Sequence, residues 1–219
     1  MSSFPGSPRL IRGGVVLVDP QSVAVQRVIV MQYNPDTLTR SLQPQTAGTD
    51  AGDRVEVLRL KGPAVETIKL EAEIDAADQL EQPDQNPTVL ASGIQPQLAV
   101  LETIVYPSSS TIQGNKDLAL AGMLEIVPAE APLTLFIWGK SRIVPVRLSE
   151  FSITEEAFDP QLNPIRAKIS LGMRVLSTND FGFEDRGSSL YLSYQQEKER
   201  LARLVPSGSL AALGIARIQ

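Results

Sequence analysis

Ile165–Val175 reads IRAKISLGMRV, and its alternation decides the fold class. Ile165, Ala167, Ile169, Leu171, Met173 and Val175 fall on one side of an extended chain, and Arg166, Lys168, Ser170 and Arg174 on the other. Successive side chains of a strand point to opposite faces, so period two over eleven residues predicts one dry and one wet face. Working back towards the N-terminus, Leu133–Trp138 (LTLFIW) is apolar on both faces and is expected to be central and covered on both sides. Gly139–Lys140 is a turn candidate, and Arg142–Leu148 (RIVPVRL) returns, with Pro145 suggesting an edge or bulge because it lacks an amide donor. Ser149–Phe158 alternates less cleanly, anchored by Phe151, Ile153 and Phe158. DPQLNP at Asp159–Pro164 is the turn before the deciding strand.

The same period occurs earlier. In TIKLEAE, Thr67–Glu73, the residues Ile68, Leu70, Ala72 and Ile74 share one face, and Thr67, Lys69, Glu71 and Glu73 the other. Gly13–Asp19 and Val25–Tyr33 read as a hairpin closed by Asn34–Pro35. Residues before it read as a flexible arm, and Gln43–Asp53 as a loop. Between Gly93 and Tyr106 the period changes: Ile94, Leu98, Leu101 and Val105 recur at three- and four-residue steps, predicting an amphipathic helix near 94–106 that docks on a sheet. Ser108–Lys116 is expected as a polar loop, followed by a short apolar piece around Leu118–Ile126. Ser189–Leu204 reads as a C-terminal helix with Leu190, Tyr194, Leu201 and Leu204 as its stripe and Glu197, Lys198, Glu199 and Arg200 on the far side. That stripe must pack on its own sheet or on a neighbouring subunit.

Composition narrows the chemistry. The 219 residues include no cysteine and no histidine, with 20 Lys+Arg against 25 Asp+Glu and a net charge of −5. This excludes disulfides, thiolate nucleophiles, zinc fingers, Ser-His-Asp triads and imidazole bases. The acidic balance does not supply the basic footprint of a nucleic-acid binder, and no apolar run approaches a membrane span. The start lacks a signal peptide's apolar core, so the expectation is a cytoplasmic protein. From Glu71 to Asp84 there are six acids and no base, at spacings that do not match an EF-hand loop. Neither a phosphate loop nor a dinucleotide fingerprint is present, and adjacent Glu155 and Glu156 point to opposite faces of a strand, so they cannot act as a catalytic pair. Trp138 reads as a core residue. The expectation is a non-enzyme without cofactor or metal.

Three phrases carry a resemblance. QYNPDTL (Gln32–Leu38), LTLFIWG (Leu133–Gly139) and EEAFDPQLNPIRAKISL (Glu155–Leu171) are similar, in order and spacing, to the tube and tube-initiator proteins of contractile injection systems, the phage-tail-like particles. The resemblance implies a mainly β, α+β fold: a tail-tube-like pair of packed antiparallel sheets forming a near-barrel with one flanking helix. It places the tube-type domain at 1–180 with an inserted loop region at 75–131, and a C-terminal helical extension at 181–219. It further implies a homo-oligomer, a hexameric ring, that contacts spike, tube and baseplate components. The alternatives are a repetitive inner-tube subunit of the same machine and a monomeric β-barrel ligand-binding module. Within a ring, Thr67, Lys69, Glu71, Glu73, Arg166, Lys168, Ser170 and Arg174 are the lumen-facing candidates, and Leu190, Tyr194, Leu201 and Leu204 the partner-contact candidates. The length of the insertion and the C-terminal helix favour a specialised ring joining tube to baseplate.

Overall fold

The structure is a computed structural model that describes residues 10–22, 24–46, 59–122, 131–182 and 184–218. The start of the N-terminal arm, most of the Gln43–Asp53 loop and the second half of the Leu118–Ile126 piece lie outside the described residues. The chain is mainly β with flanking helices, as its alternation predicts. Among the described residues, seven strands form a single antiparallel sheet: β1 (Gly14–Val18), β2 (Val25–Val30), β3 (Leu38–Gln43), β4 (Val65–Asp75), β5 (Leu133–Ile137), β6 (Ile143–Phe158) and β7 (Pro164–Val175). Their order is β2-β1-β5-β6-β7-β4-β3. The two packed layers expected are the halves of this one sheet, which curls on itself without closing.

The curl follows from connectivity. β2 and β3 are consecutive in sequence yet lie at opposite margins, so the seven residues 31–37 must span the remaining gap. That segment reaches at most about 25 Å when extended, which draws the margins together. Gln32 fixes the approach: its side-chain Nε2 donates to the Asp75 carbonyl at 2.7 Å, and its Oε1 accepts from the Asp75 amide at 3.0 Å. Asn34 does the same on the other side, accepting from the Gly13 amide at 2.8 Å and donating to the Ile11 carbonyl at 2.9 Å. Two side-chain amides within QYNP thus replace ladder bonds where the backbone cannot pair.

Inside the curl lies the core, with Val15, Leu17, Ile68, Leu70, Phe136, Val144, Ile169, Leu171 and Met173 buried. β7 keeps the predicted faces: Ala167, Ile169, Leu171, Met173 and Val175 are buried, while Arg166, Lys168 and Ser170 are exposed. β5 is buried on both faces, its outer residues Leu133 and Leu135 forming a second cluster with Val16 and Val18 of β1. Trp138 packs on the main core and stacks on Phe136 at 6.0 Å between centroids, and Gly139 takes a φ of +73° at the turn that follows.

Several local expectations are corrected. Pro145 is buried in an interior strand, and the register shift falls later, between Leu148 and Glu150. Its carbonyl accepts from the Leu176 amide, so its missing donor faces the side where β7 has just ended and no ladder bond is lost. Arg142–Leu148 and Ser149–Phe158 are one strand of 16 residues. Within 75–131 the described residues are largely helical: α1 (Ala77–Leu80), α2 (Pro87–Ser92), α3 (Gln95–Glu102) and α4 (Ser109–Leu120). Ser108–Lys116, read as a loop for its polarity, is most of α4, initiated by the Ser108 hydroxyl accepting from the Thr111 amide at 3.1 Å. Ile94, Leu98 and Leu101 dock on the core as expected, but Val105 is exposed because α3 ends at Glu102 and Ile104 takes the inward position.

Candidate functional site

The pairing of the sheet changes along β6. β5 accompanies β6 only as far as Val146, after which β6 continues to Phe158 paired to β7 alone. β6, β7, β4 and β3 therefore form a four-stranded portion whose margins, the distal half of β6 and the whole of β3, carry no further strand among the described residues. Its outer face is polar. The register sets Thr67 beside Arg174, Glu71 beside Ser170, and Glu73 beside Lys168, so all eight lumen candidates lie on this one face. β6 extends it, with Arg147, Ser152, Thr154 and Glu156 opposite Arg174, Ser170, Lys168 and Arg166.

The charges on this face are paired across strands. Lys69 meets Glu150 at 2.7 Å, Lys168 meets Glu156 at 2.9 Å, and Arg166 meets Asp75 at 2.7 Å with Glu73 at 3.8 Å. Lys69 and Glu150 sit on strands separated by β7, and Gly172 between them has no side chain to block the bridge: a Cβ there would stand 2.9 Å from that of Glu150. An amide hydrogen bond from Ala77 is the largest influence on the Asp75 carboxyl; burial opposes it, and the hydrogen bond and charge of Arg166 help to hold the group below its ordinary range. Glu156 in turn raises Lys168 above its ordinary range. Such exposed pairs are screened by water and contribute little to stability. Their consequence is a face that is hydrophilic but nearly self-neutralised. Glu155 and Glu156 lie opposite Ala167 and Arg166, on different faces of β6.

The partner-contact candidates separate. The C-terminal helix α5 (Arg186–Ala202) uses its own sheet over its first half: Tyr191 and Tyr194 belong to the main core, and Leu190 packs on the outer cluster. Leu201 and Leu204 are exposed. Lys198 also points inward, contrary to the expected charged far side. Its Nζ lies 3.0 Å from Glu66 Oε2 and 4.0 Å from the centroid of the Tyr194 ring.

Glu66 is the one acid of β4 on the dry face, 3 % exposed. Arg40 of β3 donates to its Oε1 at 2.8 Å, and the Tyr194 hydroxyl donates to the same oxygen at 3.0 Å. Burial pushes the Glu66 carboxyl up, but hydrogen bonds from Lys198 and Arg40 and the attraction of both cations outweigh it, leaving it below the ordinary range. Burial, then the neighbouring Glu66 charge, push Tyr194 up to about 12. Three elements thus converge on one carboxylate and clamp α5 to the lower end of β4. Sequence reasoning missed this cluster. Extending the β4 alternation two residues back from Ile68 would have placed an acid at an inward position.

A third feature lies where β2 approaches β4. A cavity of about 250 Å³ opens between Val28–Gln32, Ala72–Ile74 and α3, floored by Val15, Ile169 and Leu171. The Gln97 Oε1 on its wall is buried and has no hydrogen-bond partner. Among the described residues, no group of three or more acidic side chains could hold a metal ion, and no helix is long and apolar enough to cross a membrane. No protein-family model matches the chain, and no curated protein matches it.

Proposed function

We propose that the chain is a structural assembly subunit that forms a ring, hexameric by the resemblance of its motifs, joining the inner tube of a contractile injection particle to its spike and baseplate. One observation carries the reading: a four-stranded portion with one polar, charge-paired face and two margins that pair with no further strand among the described residues. Free strand edges are templates for pairing with another chain, and closure into a ring satisfies them. Joining β3 of one copy to the distal half of β6 of the next would continue the sheet around an axis. The self-neutralised outer face would then line the lumen. Made in the cytoplasm and built into the particle, such a subunit has no need of catalytic groups. The same strands would serve a repetitive tube subunit. The exposed end of α5 and the segment after it favour a specialised ring with a further contact to make.

The test is electron microscopy and mass measurement of the protein mixed with its tube and spike partners. Rings incorporated at the baseplate end are expected, and a stable monomer absent from assembled particles would sink the reading. Truncation to probe the baseplate contact belongs after Ala202. Removal of everything beyond Phe181 would also strip Tyr191 and Tyr194 from the core.

A further inference from the structure

Consecutive turns at the end of α5 make polar contacts in two directions. Tyr194 and Lys198, four residues apart and so on one side of the helix, both bond the carboxylate of Glu66 in β4. Arg40 of β3 shares that carboxylate, and its guanidinium also donates to the Tyr194 hydroxyl at 3.1 Å. Glu197 lies about 100° around the helix from Lys198 and turns to a different part of the sheet. It accepts from the Ser141 hydroxyl, in the turn between β5 and β6. Arg200 holds it there through two bonds of 2.7 Å. Tyr191 and Tyr194 meanwhile share the core with Val144 and Val146 at the start of β6.

The helix thus ties together strands that are not neighbours, since β7 separates β6 from β4. Ladder bonds hold each strand to the next but leave a sheet free to twist and coil. A link from the β5–β6 turn to β4 and β3 restricts that freedom, because it spans the four-stranded portion. β3 depends on the link most. Among the described residues it pairs with β4 alone, and of its six side chains only Leu38 and Arg40 are half-buried, the rest being exposed.

We infer that α5 is a cross-brace: by tying the β5–β6 turn to Glu66 and Arg40, it sets the curvature of the portion β6-β7-β4-β3. In a closed ring that curvature is the angle each copy contributes, so the brace selects the number of copies that close. The choice of ring size rests on the assembly reading, whereas the brace acts within one chain.

Hydrogen exchange of the full-length protein tests the brace, with the β1 amides as internal reference. Glu197→Ala removes the contact to Ser141 and leaves Glu66 untouched. It should accelerate exchange of the β3 amides at least about fivefold relative to β1. Lys198→Met acts at the other end and should accelerate the Ser141 and Arg142 amides by a similar factor, because coupling between two sites is reciprocal. Acceleration confined to the end whose contact was changed overturns the inference. So does equal acceleration at β1, β3 and the turn, which reports lost stability and not a link. Native mass measurement of rings assembled with the tube and spike partners reads the consequence: one copy number for the wild type and a mixture for Lys198→Met. A single, unchanged copy number in a variant whose exchange has spread overturns the assignment of ring size to α5. Spread exchange in a chain that never forms rings keeps the brace and removes the ring.

Discussion

Replacing Glu66 by leucine tests whether a buried carboxylate, and not apolar burial alone, secures α5. The side chain is 3 % exposed and accepts from Arg40, Tyr194 and Lys198. Removing one member of a fully buried ion pair costs about 3–5 kcal/mol. Here the cations are 28 % and 30 % exposed and can turn to water, which reduces that figure. The Tyr194 hydroxyl is 4 % exposed with its residue, and leaving it without an acceptor costs about 1–3 kcal/mol. Leucine recovers some apolar burial, so a net loss of about 2–4 kcal/mol is expected. For a domain of this size that lowers Tm by about 4–16 °C. Thermal denaturation followed by circular dichroism gives the global figure, and hydrogen exchange of the α5 amides shows whether the helix opens first. The pH dependence supplies an independent check. A carboxyl whose folded pKa is depressed contributes stability above its unfolded pKa, and the contribution disappears as pH falls through the folded value. Wild-type protein should therefore lose stability on acidification below the ordinary carboxylate range more steeply than Glu66→Gln. A change under about 0.5 kcal/mol in Glu66→Leu, with α5 exchange unaltered, would refute the clamp.

Gln32→Leu removes both side-chain bonds to the Asp75 backbone; a loss of about 1–2 kcal/mol in urea denaturation and faster exchange of the Asp75 amide are expected. Gly172→Ala places a Cβ 2.9 Å from that of Glu150, and the crowding should cost about 1–3 kcal/mol by the same assay. Lys69→Gln breaks a pair whose members are 55 % and 64 % exposed, so stability should change by less than about 1 kcal/mol at any salt concentration. If the face lines a lumen, charge reversal of Lys69 and Lys168 together should impair particle function while leaving the melting curve nearly in place; a folding defect as the sole effect would count against that placement.

Sequence alone determined the parts of this protein governed by short-range rules. Alternation in Thr67–Glu73 and Ile165–Val175 fixed two strands and their wet and dry faces, since strand geometry allows no other distribution of side chains. The hairpin of β1 and β2, the turn at Gly139 and the docking of Ile94, Leu98 and Leu101 followed from equally local signals. Polarity misled at Ser108–Lys116, where a serine cap starts a helix that buries nothing. It misled again at Lys198, whose amphipathic stem reaches a carboxylate carried 132 residues earlier. What only the tertiary structure decided depends on separations of that kind. Glu66 is one more charge in the sequence until β3, β4 and α5 enclose it, and Gln32 is an ordinary polar residue until β2 and β4 meet across the open side of the sheet. Burial sets the cost of an unpaired group, and burial is a property of neighbours that chain order does not state.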